Sequence, residues 1–491
     1  MKKADFLNLS LLIAIVLAVF YPLFTARYAY TDELVQLWNY RKGSGYYMFL
    51  PQGRYITEKL FAWLFSCIDT IGEIRYLRLF SLFGWICCIP VWYFILQNII
   101  SKEGLPAQLT FFALLYLVTC PPFSVYVQWA SCMELFIANT AGLVSGYLLY
   151  NGIRETGVSP RAVVLSGLFG MISLLTYQAG FGCFFIPAVL VLLARKRLTG
   201  AFLVSTGVSL CIFGVYYIVF KGIMAGYHIV PDSRAGIHID PLGKIIFFFG
   251  RPLAGAFHFT WLFNERSVAG FIVYAALLGL WIGATFFKRL SGKIGDRVLF
   301  FAGVGTLLLL TYLPSLLVRE NYASNRTLLA LDIEVFLLFS ECIFSILKNQ
   351  ANRTAIIAFI GALFVVNAWY NFTRQFLRPV ENEYRAVRAY IETKYTPGIK
   401  TIYFVRPPED LFRKQYSVVS SWDEFGVPST FFQWVPEYFC KQVILEKTED
   451  RRLAEGIGVQ SWLAREKYAA AVPPVTDSIL VLDAELIITG R

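Results

Sequence analysis

From residue 7 to about Tyr370 the chain alternates long apolar runs with short polar loops, and this alternation constrains the fold more than any other feature. An α-helix needs about 20 apolar residues to cross the hydrocarbon core of a bilayer. Runs at 7–26, 76–100, 107–120, 133–150, 161–177, 180–194, 201–220, 268–287, 298–318, 327–347 and 354–372 predict about eleven transmembrane helices. The composition agrees: 57% of residues are hydrophobic and 16% charged, against roughly 25% charged in soluble domains. The runs at 107–120, 161–177 and 180–194 are short, as tilted, broken or re-entrant segments are.

The formal net charge of +11 raises the question of nucleic acid, which the distribution of charge answers. Lys and Arg gather in short loops, as in Arg195-Lys196-Arg197, Lys288-Arg289 with Lys293 and Arg297, and Lys348 with Arg353. Basic loops of this kind stay cytoplasmic, and no basic stripe lies outside them, so nucleic-acid binding is excluded. With the N-terminus cytoplasmic, as an uncleaved signal anchor, the basic loops at 151–161, 195–199, 288–297 and 348–353 fall inside. The loops at 27–75, 121–132, 178–180, 221–267 and 319–326 fall outside, together with the C-terminal region. The nine cysteines show no metal or disulfide spacing, nor do His228, His238 and His258.

Two outer loops are long enough to have a role of their own. One holds the stretch 56–65, whose apolar residues recur at helical spacing and predict an interfacial helix; the other carries Pro231-Asp232-Ser233-Arg234. From Arg374 charges become frequent. Thr401–Val405 and Ser478–Leu482 read as buried strands, and 380–394 and 449–468 as helices. The expectation is a membrane unit over 1–373 and a small extracytoplasmic α/β domain over 374–491.

Ionisable residues near a bilayer are expensive and mark protected cavities. Here they collect at the outer ends of the spans: Asp32-Glu33 after the first, Gln52-Gly53-Arg54 in the same loop, Glu134 at the start of the fourth. Thr176-Tyr177-Gln178 follows the fifth, and Arg319 and Asn325-Arg326 sit in a late turn, against the bias that keeps arginine inside. Carboxylates suited to base chemistry and arginines suited to phosphate thus share one face. For the acidic pair, a helix-end cap is the competing role. Asn325-Arg326-Thr327 also matches a glycosylation triplet, which a tight loop disfavours.

These motifs together resemble the GT-C superfamily of polytopic glycosyltransferases, and within it the bacterial glucosyltransferases that decorate O-antigen, a part of lipopolysaccharide, in the cell envelope. Thr31-Asp32-Glu33 is similar to the acidic motif of the first outer loop, and Gln52-Gly53-Arg54 to a Gly-Arg element. Leu175–Ala179 resembles a Tyr-Gln element, and Asn325–Leu328 a late arginine element; the group often shows two aspartates where this chain has Asp-Glu. The resemblance covers residues 1–370. It implies an inverting enzyme of the bacterial cytoplasmic membrane that moves a hexose such as glucose from a polyprenyl-phosphate donor to a glycan or glycolipid acceptor. Asp32 or Glu33 would be the base, Arg54, Arg319 and Arg326 would hold the donor phosphate, and Glu134, Tyr177 and Gln178 would position substrate. No cofactor is required; a divalent metal, which some relatives use, is compatible with the residues but not demanded by their spacing. The competing readings are a transporter or flippase, and a polymerase or ligase, for polyprenyl-linked glycans.

Overall fold

A computed structural model describes residues 3–154, 157–233, 236, 240–264, 266–290, 293–347, 349–471 and 477–490; Arg234, His238 and Lys348 lie outside the described residues. Among the described residues eight helical segments are long and apolar enough to cross a membrane: Lys3–Phe24, Ile71–Lys102, Ala130–Gly152, Gln178–Arg195, Gly200–Tyr227, Val268–Phe287, Ile294–Thr311 and Gln350–Lys394. The chain is a polytopic helical membrane protein.

Three of the eleven expected spans depart from that description, each for a local reason. Gln108–Leu117 and Pro121–Gln128 meet at a bend of 47°. Cys120 between them is extended, with φ −72° and ψ 155°, because a residue before proline is driven out of the helical region. Pro160–Thr176 is apolar but only 17 residues long, about 26 Å at 1.5 Å per residue. Asn325–Ile346 has the length, with 22 residues, but carries Arg326, Asp332, Glu334 and Glu341.

Burial separates the centre of the bundle from its perimeter. The apolar windows of Ala130–Gly152 and Gln178–Arg195 are 67% and 78% buried, against 17% for Gly200–Tyr227 and 22% for Val268–Phe287. The outer helices turn Leu203, Ile218, Phe271 and Ile272 outward, which suits a lipid neighbour and not water. At the centre the Leu135–Gly152 helix lies against the 3-10 helix Gln178–Phe185. A Cβ on Gly142 or Gly146 would come within 2.5 or 2.1 Å of the Gly180 or Phe184 carbonyl oxygen, so small residues permit this backbone approach. It fixes Glu134 and Tyr177-Gln178, which begin these two elements, relative to each other.

Three of the basic loops, at 151–161, 195–199 and 288–297, come together, with Lys196 reaching the Arg289 carbonyl. Arg195 pairs with Glu103 (2.9 Å), Lys102 reaches Asn151 (2.8 Å), and Arg289 pairs with Glu341 (2.5 Å). The long loops contain helices of their own: Asp32–Asn39 and Tyr55–Phe65 in the first, Pro241–Gly250 and Pro252–Ala256 in the second.

Beyond Arg374 a three-stranded parallel sheet forms with Thr401–Val405 at its centre, between Gly458–Trp462 and Ile479–Asp483. Helix Arg378–Lys394 matches its expectation. The helix expected over 449–468 does not form as one unit. It is a short helix, Arg451–Glu455, then strand Gly458–Trp462, then helix Arg465–Ala471. Gly456 and Gly458 weaken the helix there, and pairing with the buried central strand decides the outcome.

Candidate functional site

The polar cluster is built around six consecutive residues, Trp129 to Glu134. The chain leaves the Pro121–Gln128 helix here, runs extended at Trp129, and turns through Ala130–Cys132 into the Leu135–Gly152 helix. Each side of this strip carries a different group of the sequence-predicted residues.

The two members of the acidic pair have opposite environments. Glu33 is fully buried and accepts from the Tyr30 N–H (2.7 Å), the Ala130 N–H (2.6 Å) and Arg78 Nε (3.2 Å), with Arg78 Nη2 closing a bidentate ion pair. Arg78, itself buried, also donates to the Tyr28 carbonyl (3.0 Å) and lies 3.5 Å over the Tyr28 ring. Glu33 thus caps the turn that opens at Ala130, as a carboxylate does at a helix N-terminus. Asp32, one residue earlier, is half-buried and accepts from Trp434 Nε1 at 3.1 Å. Thr31 before it holds φ 44° and ψ −112°, a strained conformation of the kind that clusters at functional sites, and its N–H donates to Ser429 Oγ at 2.8 Å.

On the second side, Arg54 lies 4.1 Å over the Tyr177 ring and donates from Nε to Gln178 Oε1 (3.3 Å). Gln178 Nε2 in turn donates to the Gln52 carbonyl and to Tyr216 Oη, both at 2.7 Å. Gly53 makes the turn possible: its φ is +80°, and a Cβ there would sit 2.3 Å from Tyr216 Oη. Glu134 is buried beneath this group. Thr57 Oγ1 lies 3.5 Å from Glu134 Oε1, while Glu134 Oε2 is buried without a hydrogen-bond partner among the described residues. That oxygen is costly to leave unpaired, and Glu134 lies in the electrostatic field of both Arg54 and Arg326.

The third side holds Arg326, whose guanidinium is 4.6 Å over the Trp129 ring, donates to Tyr322 Oη, and pairs with Asp423 Oδ2 at 2.7 Å. Glu424 is fully buried and accepts from the Asn325 N–H and Nδ2 (both 2.8 Å) and the Arg326 N–H (3.0 Å). The Asn325 side-chain amide of the glycosylation triplet is thus engaged. Burial holds the Tyr322 phenol well above its usual range, so it serves as a neutral donor to Asp423 Oδ1 at 2.8 Å. Asp423 and Glu424 were not among the sequence-predicted residues. Their signal is an Asp-Glu dipeptide repeating that at 32–33, with the same division: the glutamate caps a helical turn beside an arginine and the aspartate stays half-buried.

Arg54, Glu134, Tyr177, Gln178 and Arg326 therefore converge, and Glu33 joins the same strip through the Ala130 N–H, whereas Asp32 beside it meets Trp434. Arg319 does not join them: its side chain is exposed, and its backbone N–H donates to the Gly236 carbonyl at 2.8 Å. In the outer loop 221–267, Arg251 and His258 line a cavity of about 90 Å3, and His258 Nε2 lies 3.0 Å from the Gly270 carbonyl oxygen. No three His, Cys, Asp or Glu side chains among the described residues come together as an ion site. No protein-family model matches this chain, and no curated protein matches it. Sequence reasoning also missed Asp332 and Glu334, buried inside the Asn325–Ile346 helix, where Glu334 accepts from Thr311 Oγ1 at 2.8 and 2.9 Å.

Proposed function

We propose that the protein is an integral-membrane inverting glycosyltransferase that moves a hexose from a polyprenyl-phosphate donor to a glycan or glycolipid on the extracytoplasmic face of a bacterial cytoplasmic membrane. The observation that carries this reading is a pair of arginines, Arg54 and Arg326, flanking Glu134 and Tyr177 on the strip that also fixes the helix bearing Asp32. In this mechanism Asp32 accepts the proton of the acceptor hydroxyl as its oxygen bonds to the anomeric carbon. The bond from that carbon to the phosphate oxygen breaks on the opposite face, which inverts the centre. The phosphate leaves with the electron pair, its charge held by Arg54 and Arg326, and needs no proton at neutral pH. Glu33, saturated by Arg78 and two backbone N–H groups, holds the Asp32 turn in place. Glu134, Tyr177 and Gln178 supply hydrogen bonds to the sugar, and the apolar perimeter accommodates the polyprenyl tail. A bound divalent ion is not needed for any of these steps.

The test uses membranes carrying wild type or Asp32→Asn, given labelled polyprenyl-phosphate hexoses and candidate acceptors. Asp32→Asn expressed at the wild-type level and transferring at the wild-type rate would overturn the reading. One observation favours a second reading: Asp332 and Glu334 are buried along the Asn325–Ile346 helix, and carboxylates within a span are a transporter's signature. Proteoliposomes moving a lipid-linked glycan in the wild type but not in Asp332→Asn would favour that alternative.

A further inference from the structure

A cavity of about 570 Å3 lies between the segment around Ser420–Phe432 and residues Phe247–Arg251, within the ~300–1,000 Å3 of ordinary small-molecule sites. We propose that it binds a neutral pyranose unit of the acceptor, an inference that rests on the transferase reading and adds the place where its second substrate sits.

The lining carries the argument. Five half-buried aromatic side chains form the walls: Phe247, Tyr322, Trp422, Phe431 and Phe432. Trp422 packs on Tyr322 with ring centres 5.3 Å apart, and Phe431 on Phe432 at 5.5 Å. Flat apolar faces suit the C–H faces of a sugar ring, while Asn264, Asn321 and Ser420 interleave polar groups for its hydroxyls. Charge then discriminates among ligands. Arg251 and Arg266 face Glu409 and Asp423 among the described lining residues, and Asp423 is also paired with Arg326 just outside the cavity. A phosphate would need a cationic excess, and a polyprenyl chain would need walls unbroken by charge. A neutral, hydroxyl-rich ring satisfies both constraints.

The cavity is also connected to both halves of the proposed chemistry. Asp423 lines it and pairs with Arg326. Phe432 lines it and packs on Trp434 (5.1 Å), whose Nε1 donates to Asp32. Trp422 holds φ +52°, an outlier for a bulky residue, as expected where a segment is held in shape for a ligand. The smaller cavity shares Arg251, Asn264 and Trp422 with this one and leads inward to Asp332, whose Oδ1 is buried without a hydrogen-bond partner among the described residues.

The experiment uses the full-length protein in detergent and the methyl pyranosides of glucose, galactose and mannose as probes. Saturation-transfer NMR should show ring C–H signals for at least one of them, undiminished by inorganic phosphate. Trp422→Leu and Phe432→Leu should each weaken that binding at least tenfold while prenyl-phosphate binding persists. A diazirine-bearing pyranoside should label wild-type peptides within 417–434 or 241–266, a readout that requires no variant. Silence from all three sugars, displacement by phosphate, unchanged binding in both variants, or labelling confined to other peptides would each overturn the proposal. Sugar binding without transfer from a polyprenyl-phosphate hexose would keep this site and remove the transferase reading. Transfer without sugar binding here would do the reverse.

Discussion

Replacing Glu33 by glutamine removes a charge from a position where both partners are fully buried. The carboxylate accepts from the Tyr30 N–H, the Ala130 N–H and two nitrogens of Arg78. Glutamine offers one acceptor oxygen and one N–H2, so at least one of those donors would face another donor, and Arg78 would be left as an unpaired buried cation. Breaking a buried pair in this way costs about 3–5 kcal/mol. Asp32→Asn is a different perturbation: the side chain is half-buried, and its charge at a helix start contributes about 0.3–1 kcal/mol. We predict that Glu33→Gln lowers the unfolding free energy, measured by detergent-denaturant titration of purified protein, by at least three times as much as Asp32→Asn. Transfer activity should show the opposite pattern: Asp32→Asn abolishes it with at most about 1 kcal/mol of lost stability, and Glu33→Gln reduces it only in proportion to lost folded protein. Adding Arg78→Met to Glu33→Gln should recover much of the stability, since no buried charge then lacks a partner. An unfolding free energy of Glu33→Gln within about 1 kcal/mol of wild type, combined with complete loss of transfer, would refute the division of roles.

Arg54→Ala and Arg326→Ala should each weaken polyprenyl-phosphate binding at least tenfold, about 1.4 kcal/mol, whereas Arg319→Ala should leave it unchanged; equilibrium binding of a labelled donor analogue separates the three. Asp423→Asn should tighten the same binding, because the Asp423 carboxylate pairs with Arg326 where the donor phosphate would compete for it. Gly53→Ala should cost about 1–3 kcal/mol of stability and weaken donor binding with it, since the turn at φ +80° sets the path of Arg54 and a Cβ meets Tyr216 Oη. Glu424→Gln should leave N–H donors at Asn325 and Arg326 short of a charged acceptor, costing about 1–3 kcal/mol, and should speed limited proteolysis between residues 417 and 434.

The membrane class was legible because lipid imposes a length and a composition that recur along the chain, and each of the eleven apolar runs does contain helix. The number of clean spans was not. Hydropathy does not register that Pro121-Pro122 bends one segment, or that Asp332, Glu334 and Glu341 are tolerated once neighbouring helices bury them. Five of the eight candidate residues, Arg54, Glu134, Tyr177, Gln178 and Arg326, converge, because polar residues beside apolar runs have few places to go. The division of Asp32 from Glu33 depended on Arg78, which looks like an ordinary basic residue at the start of a span and whose partner is 45 positions away in sequence. Asp423-Glu424 escaped notice because it lies 97 positions from Arg326, in a stretch whose charges read as those of a solvated surface. Arg319 and Arg326 share one outer loop in the sequence, but Arg319 stays exposed in it, whereas Arg326 sits in the first turn of the helix Asn325–Ile346.

The segment Gln350–Lys394 runs 45 residues without leaving a helical path, though its turns widen at Asn371–Leu377. At 1.5 Å per residue that is a shaft of about 68 Å, more than twice the ~30 Å hydrocarbon thickness. Its last turns project well beyond the apolar layer while remaining in helical continuity with the bundle. Arg385, exposed there beside Glu381, is therefore a mechanical handle. A rigid binding domain raised against those turns would follow the bundle's orientation and add an alignment marker for imaging the apolar helices that lipid or detergent hides.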